Sequence, residues 1–480
     1  MAKEKTELAV IGGGPGGYAA AFAAADLGIA ATLIDPEENP GGVCLYRGCI
    51  PSKTLLHVAR LIGEAREAKA WGVDFKAPKI NLERLRGFKK GVVTRLTDGL
   101  GRLVKQRNIT YVRGTAVFED DHTLSIDSGN GDGGRLAFDS AVIAAGSEPA
   151  GIPELDFESG RIMDSTSALE IESIPGKLLV VGGGYIGLEI GSVYAALGSR
   201  VTLVELTPQL LPGVDRDLVK VLSRHLDDRF DHIRLETKVQ TAKEQKNGIK
   251  VTLRGPKDEE QTRLFDGVLV AVGRRPRTDH LELDRAGVAL DEKGFIEVDP
   301  FRRTARRHIY AIGDVTGEPM LAHKASHEGR IAAEIIAGRK AAYEPAAIPA
   351  VVFTDPEIAW AGLTETDARK NGIDYQTTRF PWAASGRAAT LGRSDGLTKM
   401  IVDPGTERIL GVGIAGPFAG EMISEGVLAI EMAANITDLG LTIHPHPTLS
   451  ETVKEAAEIF HGMAPHLYRP KDGRRGKKKN

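Results

Sequence analysis

A dinucleotide-like unit occurs twice in this chain, at an offset of 170 residues. Leu8-Ala-Val-Ile11 runs into Gly12-Gly-Gly14-Pro-Gly-Gly17, and Leu178-Leu-Val-Val181 runs into Gly182-Gly-Gly184-Tyr185-Ile186-Gly187. Each apolar run feeds a G-x-G-x-x-G, then an Ala-rich stretch that closes on Leu-Gly, at Gly28 and Gly198. A second apolar run follows and ends on an acid, Asp35 in one copy and Glu205 in the other, 18 residues past the last glycine. One such glycine pattern is weak evidence; strand, glycines, helix and acid agreeing twice is strong. The glycines permit a tight turn and let backbone N–H groups reach a pyrophosphate at a helix N-terminus. The acid accepts hydrogen bonds from a ribose. The repeat therefore predicts an α/β chain with two Rossmann-like domains and two bound dinucleotides.

Glu205 also bears on cofactor choice. A carboxylate there repels the 2′-phosphate of NADP, and the residues after it, Leu206-Thr-Pro-Gln-Leu-Leu211, offer no arginine to neutralise one. The second unit is expected to take NAD.

A net charge of −3 supplies no global field for nucleic acid or an anionic membrane, so neither is expected as a partner. Met1 to Glu7 lacks the apolar core of a signal peptide, and no apolar run is long enough to span a bilayer. The expected location is cytoplasmic. There a structural disulfide is uncommon, and a close cysteine pair is more often catalytic or metal-binding. The chain's two cysteines, Cys44 and Cys49, stand in Gly42-Val43-Cys44-Leu-Tyr46-Arg47-Gly48-Cys49-Ile-Pro-Ser-Lys53. Two thiolates make half a tetrahedral zinc site, and no cysteine or histidine cluster lies nearby in sequence, so no metal is expected. On a regular helix, residues five apart lie roughly 8–9 Å apart. A disulfide needs less than about 7 Å. If the pair closes, the segment must be distorted, and Gly48 permits that.

Residues 1–50 read as strand, helix, strand and the cysteine loop. Residues 54–107 read as amphipathic helix, and 108–146 as strands with a turn at Ser128 to Gly134. Ile309 to Asp314 reads as a buried strand ending on an acid. From Ala346 onward, strand-like runs such as Leu397 to Val402 mix with Ala-rich helices. Tyr468 to Asn480, with seven Lys/Arg against one Asp, is expected to be a solvated, disordered tail.

With these motifs in hand, the chain resembles the FAD-dependent pyridine nucleotide–disulfide oxidoreductases over about residues 6–465. Further marks are Gly187-Leu-Glu189, Ala271-Val-Gly273-Arg-Arg-Pro276, Ile312-Gly-Asp314-Val315, Met320-Leu321-Ala322-His323 and His444-Pro-His446-Pro-Thr-Leu-Ser-Glu451. The resemblance implies an FAD domain from 1–150 and 277–345, an NAD domain at 151–276 and an α+β dimerisation domain at 346–467. It implies a homodimer. For FAD it implicates Gly12, Gly14, Gly17, Asp35, Gly42, Lys53, Gly114, Ala145, Gly146, Ser147, Asp314, Met320, Leu321, Ala322 and His323. For NAD it implicates Gly182, Gly184, Tyr185, Ile186, Gly187, Glu189, Glu205, Val239 and Gly273. Tyr185 is expected to cover the nicotinamide pocket, although a packing aromatic reads nearly as well.

The resemblance also implies roles. Cys44 would be the thiol that meets substrate, and Cys49 the flavin-side thiol. Lys53, paired with Glu189, would sit beside the flavin; two unconnected helix charges are the alternative. His446 would be the base, since histidine takes and returns a proton near neutral pH. Glu451 would orient it, with a helix expected from about Thr448. In the family this pair serves the partner subunit's cysteines. The member implied oxidises dihydrolipoyl groups on a carrier and reduces NAD⁺. The carrier would belong to a 2-oxo acid dehydrogenase complex, the glycine cleavage system or a similar assembly. An NADH-dependent reductase of another disulfide or a quinone remains open, as does a flavoprotein kept for assembly.

Three positions depart from many relatives, which read Thr-Cys-x-Asn-Val-Gly-Cys. Val43 removes a hydroxyl, and Tyr46 and Arg47 replace Asn and Val. Arg47 adds a cation that could lower a thiol pKa or meet the carrier. Ala145 replaces a common Thr.

Overall fold

The computed structural model describes residues 4–129 and 134–467. The expected tail at 468–480 and the centre of the turn after Ser128 lie outside the described residues. The chain divides into two compact units. One comprises residues through Leu206 with His232–Glu344; the other comprises Thr207–Asp231 with the chain from Pro345 on.

In the first unit, β1 (Glu4–Ile11), α1 (Pro15–Asp26) and β2 (Ala31–Asp35) form the first strand–helix–strand. Next come α2 (Gly42–Arg47), α3 (Cys49–Glu67) and α4 (Leu82–Gln106), then β3 (Thr110–Arg113), β4 (Thr115–Asp120), β5 (Thr123–Asp127) and β6 (Gly134–Ile143). The sheet has the order β3-β2-β1-β6-β5-β4, with Ile309–Ala311 added in parallel to β6. β1 pairs in parallel with β2 and β6. Leu8 to Val10 are fully buried, as a strand covered on both faces requires. The helical stretch expected over 54–107 is in fact two helices. Gly72 at φ +87° ends the short turn Ala68–Trp71, and Asn81 caps α4 by accepting a hydrogen bond from the Arg84 N–H at 2.9 Å. Asp314 is not at a strand end: the strand stops at Ala311, and Asp314 lies in the turn Gly313–Thr316.

The second dinucleotide unit repeats the pattern with strand Lys177–Val181, helix Tyr185–Leu197 and strand Arg200–Val204. Its sheet is parallel throughout and runs His232–Arg234, Arg200–Val204, Lys177–Val181, Gly267–Val270, Ile162–Met163. Among the described residues, no helix is long and apolar enough to cross a membrane.

The second unit is built on a five-stranded antiparallel sheet, Ala350–Val352, Glu357–Gly362, Ile409–Gly416, Leu397–Val402 and Gln376–Pro381. Adjacent residues of Ile409–Gly416 face opposite sides. Val412 meets Gly426 of helix Ala419–Glu431, and Gly413 meets Leu218 of helix Arg216–Arg229. That last helix departs from the boundary read from sequence, which assigned all of 151–276 to one domain. It buries Leu218, Val219, Val221, Leu222 and Leu226. Lys399, 1% exposed, fastens the segment: its Nζ lies 2.7 Å from Asp215 and 3.0 Å from Asp217, and also contacts Glu365. Arg379 Nε lies 2.6 Å from Asp217.

Removing the lysine strands several carboxylates. Lys399→Met is therefore expected to cost about 3–5 kcal/mol, the range for breaking one side of a buried ion pair. Urea unfolding of wild type and variant measures this; an unchanged midpoint would mean the carboxylates take up protons at no cost.

Candidate active site

The distortion expected between the cysteines is present. α2 and α3 are separated by Gly48, whose backbone is non-helical at φ −139°, ψ −112°. A Cβ there would lie 2.9 Å from the Val43 carbonyl oxygen, so any larger residue would press on the preceding turn. Both cysteines are free thiols, with their side chains in hydrogen-bond contact. Cys44 acts as donor, and its pKa rises, first through that bond and then through burial. Cys49 is lowered to about 7: the bond from Cys44 stabilises its thiolate, burial opposes it, and Lys53 adds to the stabilisation. Lys53 lies one helical turn beyond Cys49. Its Nζ is 2.8 Å from Glu189 Oε2, so these are not two unconnected charges. Glu189 is 3% exposed.

The cysteines open onto a cavity of about 310 Å³ in the first unit. Its wall includes Gly12, Gly14, Asp35, Gly42, Lys53, Gly114, Ala145, Gly146, Ser147, Asp314, Met320 and Ala322. Tyr185, Ile186 and Glu189 share it, so residues assigned from sequence to two different cofactors meet at one cavity. Tyr185 is 40% exposed, and burial of its hydroxyl pushes the phenol up to about 12. Among the described residues, Gly17, Leu321, His323, Gly182, Gly184, Gly187, Glu205, Val239 and Gly273 are not on this wall.

The two glycine units are near copies in detail. Asp35 Oδ2 accepts the Gly13 N–H at 2.6 Å, and Glu205 Oε2 accepts the Gly183 N–H at 2.6 Å. Gly12 and Gly182 have φ of +103° and +110°, and a Cβ on either would lie 2.3 Å from a carbonyl oxygen of the adjoining strand end. Helices Pro15–Asp26 and Tyr185–Leu197 start from Gly14 and Gly184, and neither start is capped by a side chain. Uncapped N-terminal amides beside a buried carboxylate are the donor set a dinucleotide needs: amides for the pyrophosphate, an acceptor for the ribose. The first such set faces the cavity, so the residues present fit FAD. Burial raises the Asp35 pKa, while the Gly13 N–H, Arg47 and Arg277 pull it back.

Ser147 Oγ donates to Asp314, and Arg274 donates to Ser147 Oγ at 2.8 Å and Ser147 O at 2.7 Å. Arg274, Arg277 and His280 line the cavity and were not among the expected site residues. The family mark Ala271 to Pro276 contains Arg274 but neither Arg277 nor His280.

In the second unit, His446 Nδ1 and Glu451 Oε1 are 2.9 Å apart. The other carboxylate oxygen accepts the Thr448 N–H at 2.8 Å. Burial raises Glu451, but the Thr448 N–H and His446 outweigh it and leave the carboxyl below its ordinary value. The helix runs from Glu451 rather than Thr448, and the Glu451 carboxylate reaches back to the Thr448 N–H, as an acid in a first turn does. The His446 side chain is 75% exposed, and Leu441 and Ile443 nearby in sequence are 77% and 93% exposed.

Among the described residues, two clusters place three possible metal-ligand atoms within 4.8 Å of one another. Asp215, Asp217 and Glu365 enclose the Lys399 ammonium. At Asp121, His122 and His308, the imidazoles stack at 4.1 Å and 8°, and each already has one ring nitrogen on a backbone carbonyl.

Residues 6–329 match the pyridine nucleotide-disulphide oxidoreductase family, and residues 348–457 match its dimerisation domain. The chain belongs to this family, whose members use FAD and NAD(H). It is 48% identical over 463 residues to a dihydrolipoyl dehydrogenase of Haemophilus influenzae, covering 96% of each chain. It is 46% identical to one from Vibrio cholerae, covering 96% of this chain and 97% of that one. Among solved structures, LpdA from Mycobacterium tuberculosis superposes with a TM-score of 0.87 at 26% identity, covering 95% of this chain and 99% of that one. The HOCl-induced flavoprotein disulfide reductase RclA from Escherichia coli gives 0.83 at 28% identity, covering 94% and 99%.

Proposed function

We propose that this chain oxidises protein-bound dihydrolipoyl groups to lipoyl groups and reduces NAD⁺, as a dihydrolipoyl dehydrogenase. The observation that carries this reading is the Cys44/Cys49 pair on a broken helix, with Cys49 poised near neutral pH beside the Lys53–Glu189 ion pair. Residues 1–150 and 277–345 form the FAD part, 151–276 without Thr207–Asp231 the NAD part, and 346–467 with that segment the dimerisation part. The exposed His446 and the apolar residues near it fit a homodimer, in which the partner subunit's His446 serves these cysteines. The enzyme acts in the cytoplasm on a lipoyl-bearing carrier.

His446 removes a proton from a dihydrolipoyl thiol, and Glu451 holds the ring and stabilises its cation. The resulting thiolate attacks Cys44 Sγ of the disulfide, and Cys49 leaves as a thiolate. The second substrate thiol then displaces Cys44 and closes the lipoyl disulfide, and Cys44 regains a proton. FAD, which Gly12, Gly14 and Asp35 would hold, would supply the relay that carries the electron pair from the dithiol to NAD⁺. Lys53 places a cation where negative charge develops, and Glu189 holds it there.

Purified protein is expected to be yellow and to reduce NAD⁺ with free dihydrolipoamide. Colourless protein that takes up no FAD would overturn the reading. So would protein that reduces a quinone or another disulfide with NADH and shows no dihydrolipoamide activity.

A further inference from the structure

We infer that Arg47, through its ion pair with Glu37, is a positioning residue for the adenosine-ribose end of FAD, tying the helix that carries Cys44 to the loop that follows the ribose acid Asp35. This rests on the FAD reading above. The position of Arg47 between the cysteines suggested a cation acting on a thiol. The structure directs it elsewhere. Its Nη2 pairs with Glu37, and the cation acting on both thiols is Lys53.

Arg47, Glu37 and Asp35 line one cavity wall. Asp35 accepts the Glu37 N–H at 3.0 Å with one carboxylate oxygen and the Gly13 N–H at 2.6 Å with the other. The buried Asp35 carboxylate would oppose an incoming pyrophosphate unless a cation stands by. Arg47 supplies it, and Arg277 also bears on Asp35. Arg277 is partly engaged by Glu148 at 3.9 Å.

The Glu37 loop is framed rather than loose. Tyr111 Oη donates to Glu37 O at 3.0 Å, and Arg113 Nε to Pro36 O at 3.1 Å. Tyr46 Oη donates to Asn39 O at 2.9 Å. Two adjacent residues of α2, Tyr46 and Arg47, thus grip the loop that follows the ribose acid. A cofactor seated against Asp35 is thereby registered to the helix bearing Cys44.

The test is FAD titration of the apoprotein, followed by quenching of flavin fluorescence. Arg47→Gln is expected to weaken binding about tenfold, as loss of a charge-assisted contact does. Arg47→Lys is expected to stay near wild type. The melting midpoint of the apoprotein and the pH profile of thiol alkylation are expected to be unchanged in both. The inference fails if Arg47→Gln binds FAD like wild type, if Arg47→Lys binds as weakly as Arg47→Gln, or if the alkylation profile moves while FAD affinity does not. A wild-type apoprotein that takes up no FAD overturns the cofactor reading, and this inference with it.

Discussion

Cys44→Ser is expected to abolish dihydrolipoamide turnover, by roughly 10⁴-fold or more, while NADH still bleaches the flavin. Losses on that scale follow removal of a nucleophile that acts as part of a unit. Without Cys44 no disulfide can form, so the substrate thiolate has no sulfur to attack. The residues of the second dinucleotide unit are untouched, so the NADH half of the reaction is expected to persist. Stopped-flow absorbance of the variant with NADH, beside a steady-state lipoyl assay, separates the two halves. A variant that keeps lipoyl turnover would refute the thiol route. Cys44→Ala adds a check on electrostatics. Cys49 is lowered to about 7 chiefly by the hydrogen bond from Cys44. In the reduced protein its thiolate is therefore expected to form as pH rises through about 7. In Cys44→Ala that bond is gone, and the alkylation midpoint is expected to move up towards the ordinary thiol range. A midpoint that stays put would assign the shift to Lys53 instead.

His446→Gln is expected to lower kcat for dihydrolipoamide oxidation by about 10²–10⁴-fold, the range general acid–base catalysis supplies. The glutamine can still bond Glu451 but cannot take a proton. NADH reduction of the flavin is expected to be unaffected. Glu451→Gln is expected to do less harm, because the base itself remains; the amide oxygen can serve only one of the two groups that Glu451 binds, the Thr448 N–H or His446 Nδ1, and the other loses its acceptor. The dimer reading has its own readout. Mixing a Cys44→Ser chain with a His446→Gln chain is expected to restore activity in heterodimers, since one of the two sites then has an intact pair from each subunit. No recovery on mixing would place both halves of the site on the same chain.

Much of this site could be read from sequence because its parts are short and local. The glycine turns, the strand-end acids and the cysteine segment each lie within about 30 residues, and backbone rules tie their spacing to their geometry. The 170-residue offset predicted two copies of one unit, and the amide-to-acid hydrogen bonds at Gly13 and Gly183 show how close those copies are. What was missed depends on how loops fold back and which side chains they bring together. The ion pair that captures Arg47 depends on how the loop after β2 folds over α2, which local spacing does not encode. Arg277 shares a cavity wall with Asp35 from more than 200 residues away in the chain, and its charge pulls the Asp35 pKa down.

The helix Arg216–Arg229 has a practical consequence. It follows the acid of the second dinucleotide unit in sequence but belongs to the other compact unit. A fragment excised as 151–276 would carry Leu218, Val219, Leu222 and Leu226 as a bare apolar stripe, with Asp215 and Asp217 stripped of Lys399 and Arg379. A fragment starting at 346 would lose the helix that covers Gly413 and keep Lys399 beside Glu365 alone among its three carboxylates. The chain is laced rather than strung, so chimeras built with relatives must carry Thr207–Asp231 along with the C-terminal part.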